Sequence, residues 1–369
     1  MQISKNILVA PLNWGLGHAT RCIPIIRAII SNGDNPIIAS DGQALQLLEK
    51  EFPHLKTIGL PSYDIEYAGK GENLKLKLLK ETPKIWNAIR AEHKALSHII
   101  HEYEIDGVIS DNRLGMYTNM IPCVIISHQL QVLSGNTTWL STQLHLHYIK
   151  KFKECWIPDS DTRPNITGRL SHNDDDSITK RYLGTLSRFE YRGNCEVKYD
   201  VLALISGPEP QREIFEKQLL NQLKDYPGKV LFIAGKVEDV QTVHKKGNIT
   251  YHNYLSSVGL QKAIERSRIV LCRSGYTSIM DLIKMRKKAF FIPTPGQFEQ
   301  EYLASNLESQ GIAPFANQED FALQMLDKIG DYAGLGSLID PGISLSNLLE
   351  ETFSSVNENS EPIPSSLST

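Results

Sequence analysis

Paired cysteine spacing is missing from this chain. Its five cysteines, Cys22, Cys123, Cys155, Cys195 and Cys272, are scattered, odd in number and never arranged as Cys-x-x-Cys. That excludes a disulfide framework and a zinc ribbon, and points to a reducing compartment. An excess of one charge is missing too. A formal balance of −3 over 369 residues removes the broad attraction that a nucleic-acid-binding domain uses, so no nucleic acid is expected as a partner. No apolar run approaches the roughly 20 residues that span a bilayer. Ile7-Leu8-Val9-Ala10, near the amino terminus, is too short for a secretory segment. Cytoplasmic residence is expected, with peripheral contact at the inner face of a membrane left open.

Metal-ligand spacing is equally scarce. His145 and His147 are one residue apart in a predicted helix and so point to different faces. Asp174-Asp175-Asp176 lies in a polar linker with no strand before it and reads as a solvated loop. Neither a metal nor another cofactor is expected. The stretch from Gly69 to Lys94 mixes lysines and arginines with leucines and Trp86. Such a mixture suits an anionic membrane surface, but a solvated helix face is the commoner use and the one favoured here.

What the chain does have is alternation. Ile7–Ala10, Asn35–Ser40, Ile58–Leu60, Val108–Ser110 and Val124–Ser127 read as short apolar strands between helical patterns, with a polar junction from Cys155 to Arg192. The alternation restarts with strands at Val201–Ile205, Val230–Ala234, Ile249–Tyr251, Ile269–Cys272 and Ala289–Ile292. This predicts an α/β chain of two Rossmann-like domains facing across a cleft, 1–184 and 185–350. Residues 351–369 form a tail expected to be disordered, because from Asn357 onward the chain is too polar to offset its ordering entropy.

Two strand-to-helix turns carry the chemistry. Leu271-Cys272-Arg273-Ser274-Gly275-Tyr276-Thr277-Ser278 reads as a strand, a small-residue turn and a helix start. Free backbone N–H groups at such a turn favour a phosphate. Asp281, two turns into that helix, and Gln300, in the polar loop after the next strand, are placed to grip ribose or sugar hydroxyls. A nucleotide sugar is the ligand that fits. Ser206-Gly207-Pro208-Glu209-Pro210-Gln211-Arg212 makes a further turn in this half, where Ser206, the Gly207 backbone and Arg212 can meet a diphosphate. In the first half, Asn13-Trp14-Gly15-Leu16-Gly17-His18-Ala19-Thr20-Arg21 lets the backbone approach a ligand at Gly15 and Gly17. A dinucleotide reading, prompted by Asp41 after the second strand, fails because Thr20 replaces the third glycine and His18 fills the pyrophosphate space. Presenting an imidazole to a substrate hydroxyl is the better use of that loop. Asp111 and His128 each follow an apolar strand, so with His18 they lie on the carboxyl edge of one sheet.

These residues resemble the MurG-like glycosyltransferases of GT-B architecture, over most of the chain. The resemblance implies that the turn around Arg273, Ser274, Gly275 and Ser278 cradles a UDP-sugar, that Asp281 holds its ribose, and that Gln300 contacts its sugar. Tyr254 and Glu301 are assigned to the same donor side, and Arg188 resembles an arginine that neutralises the leaving diphosphate. The sequence departs from the pattern in having Asp281 where a Glu is usual and Glu301 where a second Gln is usual. The expected reaction is an inverting, metal-independent transfer of N-acetylglucosamine or a related hexose. His18 or Asp111 takes the acceptor proton, and Gly15, Gly17 and His128 face the acceptor, which is a glycan, a lipid-linked sugar or a small metabolite. A UDP-sugar epimerase of the same fold and a non-catalytic nucleotide-sugar-binding protein are the competing readings.

Overall fold

The computed structural model describes residues 4–63, 74–133, 138–173, 175–193, 195–236, 238, 240–339 and 342–354. The first lobe runs β1 (Asn6–Pro11), α1 (Leu16–Ser31), β2 (Asn35–Ser40), α2 (Gly42–Glu51), β3 (Thr57–Gly59), α3 (Leu74–Glu102), β4 (Gly107–Asp111), β5 (Cys123–Ile126), α4 (Thr138–Ile149), β6 (Glu154–Ile157) and β7 (Lys180–Tyr182). The second runs β8 (Tyr199–Leu204), α5 (Gln211–Leu223), β9 (Val230–Ile233), β10 (Val243–Lys246), β11 (Ile249–His252), α6 (Ser257–Glu265), β12 (Ser267–Cys272), α7 (Tyr276–Lys284), β13 (Lys288–Phe291) and α8 (Phe298–Ser309). A last helix, α9 (Leu345–Phe353), follows.

The first sheet has the order β3-β2-β1-β4-β5-β6-β7 and the second β10-β11-β9-β8-β12-β13. Every pairing is parallel except β10 with β11. The central strands are buried on both sides, as in Leu8-Val9-Ala10 and Val201-Leu202-Ala203, which is why they read as unbroken apolar runs rather than as alternating ones. These are the two Rossmann-like α/β units expected.

Strand order reverses between β1 and β4, and again between β8 and β12, and at such points loops diverge and leave a crevice at the carboxyl edge. Register decides which loops share it. Pro11 pairs with Asp111, so the glycine loop after β1 starts beside Asp111. Leu204 pairs with Cys272, so the Ser206-Gly207 and Ser274-Gly275 turns start side by side.

Three features differ from the sequence reading. The polar junction from Cys155 begins inside the first sheet, because Glu154–Ile157 and Lys180–Tyr182 are its last two strands. Four residues give too short an apolar run to stand out, and Lys180-Arg181-Tyr182 is a charged sheet edge, a common protection against further pairing. Residues 351–353 are not part of a tail but the last turn of α9, while 355–369 lie outside the described residues. Helix α9 packs back on the first lobe: a Cβ added at Gly107 would meet the Phe353 ring, and the Thr352 carbonyl accepts from Lys153 Nζ at 3.0 Å. Asp174 and residues 69–73 of the basic stretch also lie outside the described residues. Farther along that stretch Trp86 is exposed, with the Arg90 guanidinium 5.9 Å from its ring. Among the described residues no helix is long and apolar enough to cross a membrane.

Candidate active site between the lobes

In the first lobe, helix α1 opens at Gly15 with no side-chain cap. His18 lies in its first turn and Arg21 three residues on, so both face the same way. They converge on Asp111, the last residue of β4. His18 Nδ1 is 2.9 Å from Asp111 Oδ1, and the Arg21 guanidinium reaches both carboxylate oxygens, through Nε and Nη2. Asp111 is fully buried and Arg21 is 2% exposed, whereas 13% of the His18 side chain reaches solvent. Burial would raise the Asp111 carboxyl, but Arg21 and then His18 hold it well below the usual carboxylate range. Burial, followed by the charge on Arg21, lowers the His18 imidazole below its ordinary value, against the opposing pull of Asp111. A proton on Nδ1 donates to the carboxylate and leaves Nε2 with a lone pair. The result is a neutral imidazole, fixed in orientation, at the cleft.

The glycine loop is held from beneath. Asn13 Nδ2 donates to Asp41 Oδ2 at 3.2 Å, and Asp41 also pairs with Arg113, which binds buried Glu92 at 2.7 Å. Asp41 is therefore committed to the loop and to Arg113, consistent with rejecting it as a ribose ligand.

In the second lobe, α7 also opens without a side-chain cap, at Gly275. Its first intrahelical bond runs from the Ile279 N–H to the Gly275 carbonyl. The N–H groups of Tyr276, Thr277 and Ser278 therefore have no partner within the helix, and they carry its partial positive charge. Ser206 and Gly207 are exposed beside this end, with Gly207 at φ 116°, a conformation that a side chain disfavours. Gln300 binds two loops at once: its Oε1 accepts from the Thr294 N–H at 2.9 Å, and its carbonyl accepts from Ser274 Oγ at 2.7 Å. The Thr294 hydroxyl is buried with no partner among the described residues.

The lobes touch across the crevice. His128 of the first lobe stacks on Tyr276 of the second, ring centroids 3.8 Å apart and ring planes nearly parallel, and its Nε2 lies 2.8 Å from Glu299 Oε1. The Tyr276 hydroxyl donates to the Pro158 carbonyl. A Cβ built on Gly17 would come within 2.6 Å of Thr277 Oγ1, so only glycine lets the two helix ends approach this closely. Gly17→Ala is expected to cost about 1–3 kcal/mol, the usual penalty for forcing volume into a packed contact. Adding Thr277→Ala removes the clashing hydroxyl and should recover most of that loss. Equal denaturation midpoints for the single and double variants would refute this account of the contact.

Several sequence-predicted residues have other partners. Arg273 does not face the cleft: it is buried, bonded to the carbonyls of Ile292 and Pro293 and to Gln318, and stacked 3.7 Å from the Phe215 ring. Arg212 is likewise committed, to Glu209 at 2.5 Å and Glu216 at 2.8 Å. Ser274 is fully buried and ties the donor turn to Gln300, which lies in the first turn of α8 rather than in the expected loop, and Glu301 accepts from the Gly296 N–H at 2.9 Å. Asp281 lies against the linker between the lobes, where Ser187 Oγ donates to it at 2.6 Å and Arg188 Nε is 3.9 Å away. Burial pushes its carboxyl up to about 6, opposed by Arg188 and Ser187. Its Oδ1 is thus bonded to Ser187 of the linker. Arg188 also reaches Ser257 Oγ, at 3.3 Å. Tyr254 is half-buried in the loop after β11, Gly275 and Ser278 are half-buried at the start of α7, and Gly15 is exposed. His128 does not stand free for an acceptor, because it belongs to the contact between lobes.

Sequence reasoning missed Arg21, Tyr276 and Glu299 as site residues. The spacing of Arg21 from His18 was the available signal. Nothing local marks Glu299, whose partner lies 171 positions away. Among the described residues no group of three or more His, Cys, Asp and Glu side chains is placed to hold a metal ion.

Comparison with known proteins agrees with this fold. Residues 211–331 match the glycosyltransferase family 28 C-terminal domain. An uncharacterized glycosyltransferase of Methanosarcina acetivorans is 24% identical over 328 residues, 83% of this chain and 84% of that protein. The UDP-N-acetylglucosamine–N-acetylmuramyl-(pentapeptide) pyrophosphoryl-undecaprenol N-acetylglucosamine transferase of Haemophilus ducreyi is 22% identical over 280 residues, 72% of this chain and 74% of that enzyme. Among solved structures, the glycotransferase of kitacinnamycin superposes with a TM-score of 0.63 at 13% identity, covering 96% of this chain and 94% of that one.

Proposed function

This chain being a MurG-like glycosyltransferase of GT-B architecture, we propose that it moves N-acetylglucosamine or a related hexose from a UDP-sugar to an acceptor hydroxyl, with inversion and without a metal ion. The observation that carries the reading is that an imidazole oriented by Asp111 in the first turn of α1 stands beside the uncapped N-terminus of α7, the two helix starts meeting at Gly17 and Thr277.

The acceptor oxygen attacks the anomeric carbon from the first-lobe side and gives its proton to His18 Nε2. The bond from that carbon to the diphosphate oxygen breaks, and UDP leaves with the electron pair on the second-lobe side. Attack and departure on opposite faces invert the configuration. Negative charge growing on the diphosphate is met by the N–H groups of Tyr276, Thr277 and Ser278 and by the Gly207 backbone, with Arg188 at the rim. Such fixed donors act without reorganising during the reaction. Asp111 takes no proton from the acceptor, because both its oxygens are bound and none of its side chain reaches the cleft. Its role is to orient His18. Gln300, with its carbonyl end fixed on Thr294, directs its amide nitrogen to the sugar.

An epimerase would need a free carboxylate beside the sugar. Glu299, Glu301 and Asp281 are held by His128, Gly296 and Ser187 respectively, so nothing favours that reading. The test is a thermal-shift screen of UDP-, GDP- and dTDP-sugars, since a ligand at 100 times its dissociation constant adds about 2.7 kcal/mol. UDP-sugars are expected to raise the melting temperature. Stabilisation by the GDP or dTDP series alone would overturn the donor assignment. Conversion of UDP-N-acetylglucosamine into another intact UDP-sugar without acceptor would overturn transfer.

A further inference from the structure

The base is joined to the donor lobe by an unbroken polar chain. Glu299 Oε1 lies 2.8 Å from His128 Nε2, and His128 Nδ1 lies 3.4 Å from Arg21 Nη1. Arg21 in turn binds both oxygens of Asp111 and approaches His18 Nδ1 to 2.7 Å. Donor and acceptor roles can be assigned from Arg21 to Glu299, while at the other end both His18 Nδ1 and Arg21 Nη2 donate to Asp111. A guanidinium can only donate, so His128 Nδ1 accepts, Nε2 carries the proton, and Glu299 accepts it. The His128 ring also lies flat against Tyr276, so its plane and its hydrogen bond are both set by the second lobe. Glu299 stands one residue before Gln300, on the turn that holds Thr294 and Ser274.

We propose that Glu299 and Arg21 are positioning residues: through His128, the first turn of α8 in the second lobe fixes the Arg21 guanidinium, and Arg21 fixes the His18–Asp111 pair. Contact between the lobes thereby completes the support of the base. This rests on reading His18 as the base for a UDP-sugar reaction. Without Glu299, the His128 N–H loses its acceptor and the ring is free to turn on the Tyr276 face. Arg21 Nη1 then loses its partner, and the dyad is held less firmly. The Glu299 carboxylate is engaged by His128, so its loss should change turnover more than donor binding.

The test uses the full chain with UDP-N-acetylglucosamine and water as acceptor. In this reaction the water oxygen bonds to the anomeric carbon, its proton passes to His18, and UDP is released with the electron pair. Turnover is read as UDP release, and UDP affinity by calorimetry. For Glu299→Ala, kcat is expected to fall about ten- to a hundredfold, the scale of a misplaced catalytic group, with the UDP dissociation constant changed by less than about threefold. Glu299→Gln keeps an acceptor for His128 and should restore most of kcat. Wild-type turnover in Glu299→Ala, an equal loss of UDP affinity and kcat, or failure of Glu299→Gln to restore kcat would each overturn the positioning role while leaving the donor reading intact. If the wild-type chain neither binds UDP nor releases it from the sugar nucleotide, the donor reading itself fails and takes this proposal with it.

Discussion

With His18 replaced by alanine, turnover of the UDP-sugar is expected to drop about 10²–10⁴-fold, the range a positioned general base supplies, while UDP binds as before. The separation follows from geometry. His18 projects from the first lobe, whereas the uncapped amides of α7 belong to the second. The measurement is kcat/KM for UDP release, set beside the calorimetric affinity for UDP. Loss of both together would mean that His18 supports the fold or the donor rather than the proton transfer.

The pH profile provides an independent check. A base works only when neutral, so the rate falls as pH drops through its pKa. Burial and Arg21 lower the His18 value below the ordinary 6.5. The acid limb of kcat/KM should therefore have its midpoint below 6.5, and activity should persist where an unperturbed imidazole would already be charged. A midpoint at or above that value would show that the Asp111 carboxylate outweighs burial.

Asp111→Ala is expected to reduce stability the most. The substitution leaves the Arg21 guanidinium, 2% exposed, buried without its counter-charge, and breaking a buried pair in this way costs about 3–5 kcal/mol. Denaturant unfolding would measure the loss. Replacing both partners, as Asp111→Leu with Arg21→Met, removes charge and counter-charge together and should recover most of the stability. It should recover none of the activity, because His18 then has nothing to orient it. A double variant no more stable than Asp111→Ala would show that the pair does not hold the site as described. The sign with pH is fixed as well. The native carboxyl lies below its ordinary 3.8, so the stability it contributes is present above about pH 4 and is lost progressively as pH falls from there through the depressed native value.

Much of this was legible in the order of residues. The two βα alternations, the glycine loops after β1 and β12, and the sites of His18, Asp111 and Gly275 follow from apolar runs broken by small residues, because those signals act over a few positions. The failures share a physical cause. Arg273, Arg212 and Ser274 sit within or beside the expected turns, but a turn does not reveal on which side of the sheet a long side chain folds. Arg273 goes down onto Phe215 and two carbonyls, where burial lowers its guanidinium to about 10. The strand Lys180-Arg181-Tyr182 escaped because an edge strand carries polar residues, which is the composition of a loop.

Sequence alone determined the two α/β units, the helix starts fit for an anion and the imidazole beside a strand-end carboxylate, since hydrophobic period and turn chemistry are properties of neighbouring residues. Only the tertiary structure decided which of those groups belong together. His128 and Glu299 are 171 positions apart in the chain and 2.8 Å apart in space, and Asp281 is paired with Ser187 of the linker. Contacts of that kind depend on how two separately folded sheets meet, and no local pattern of residues encodes that meeting.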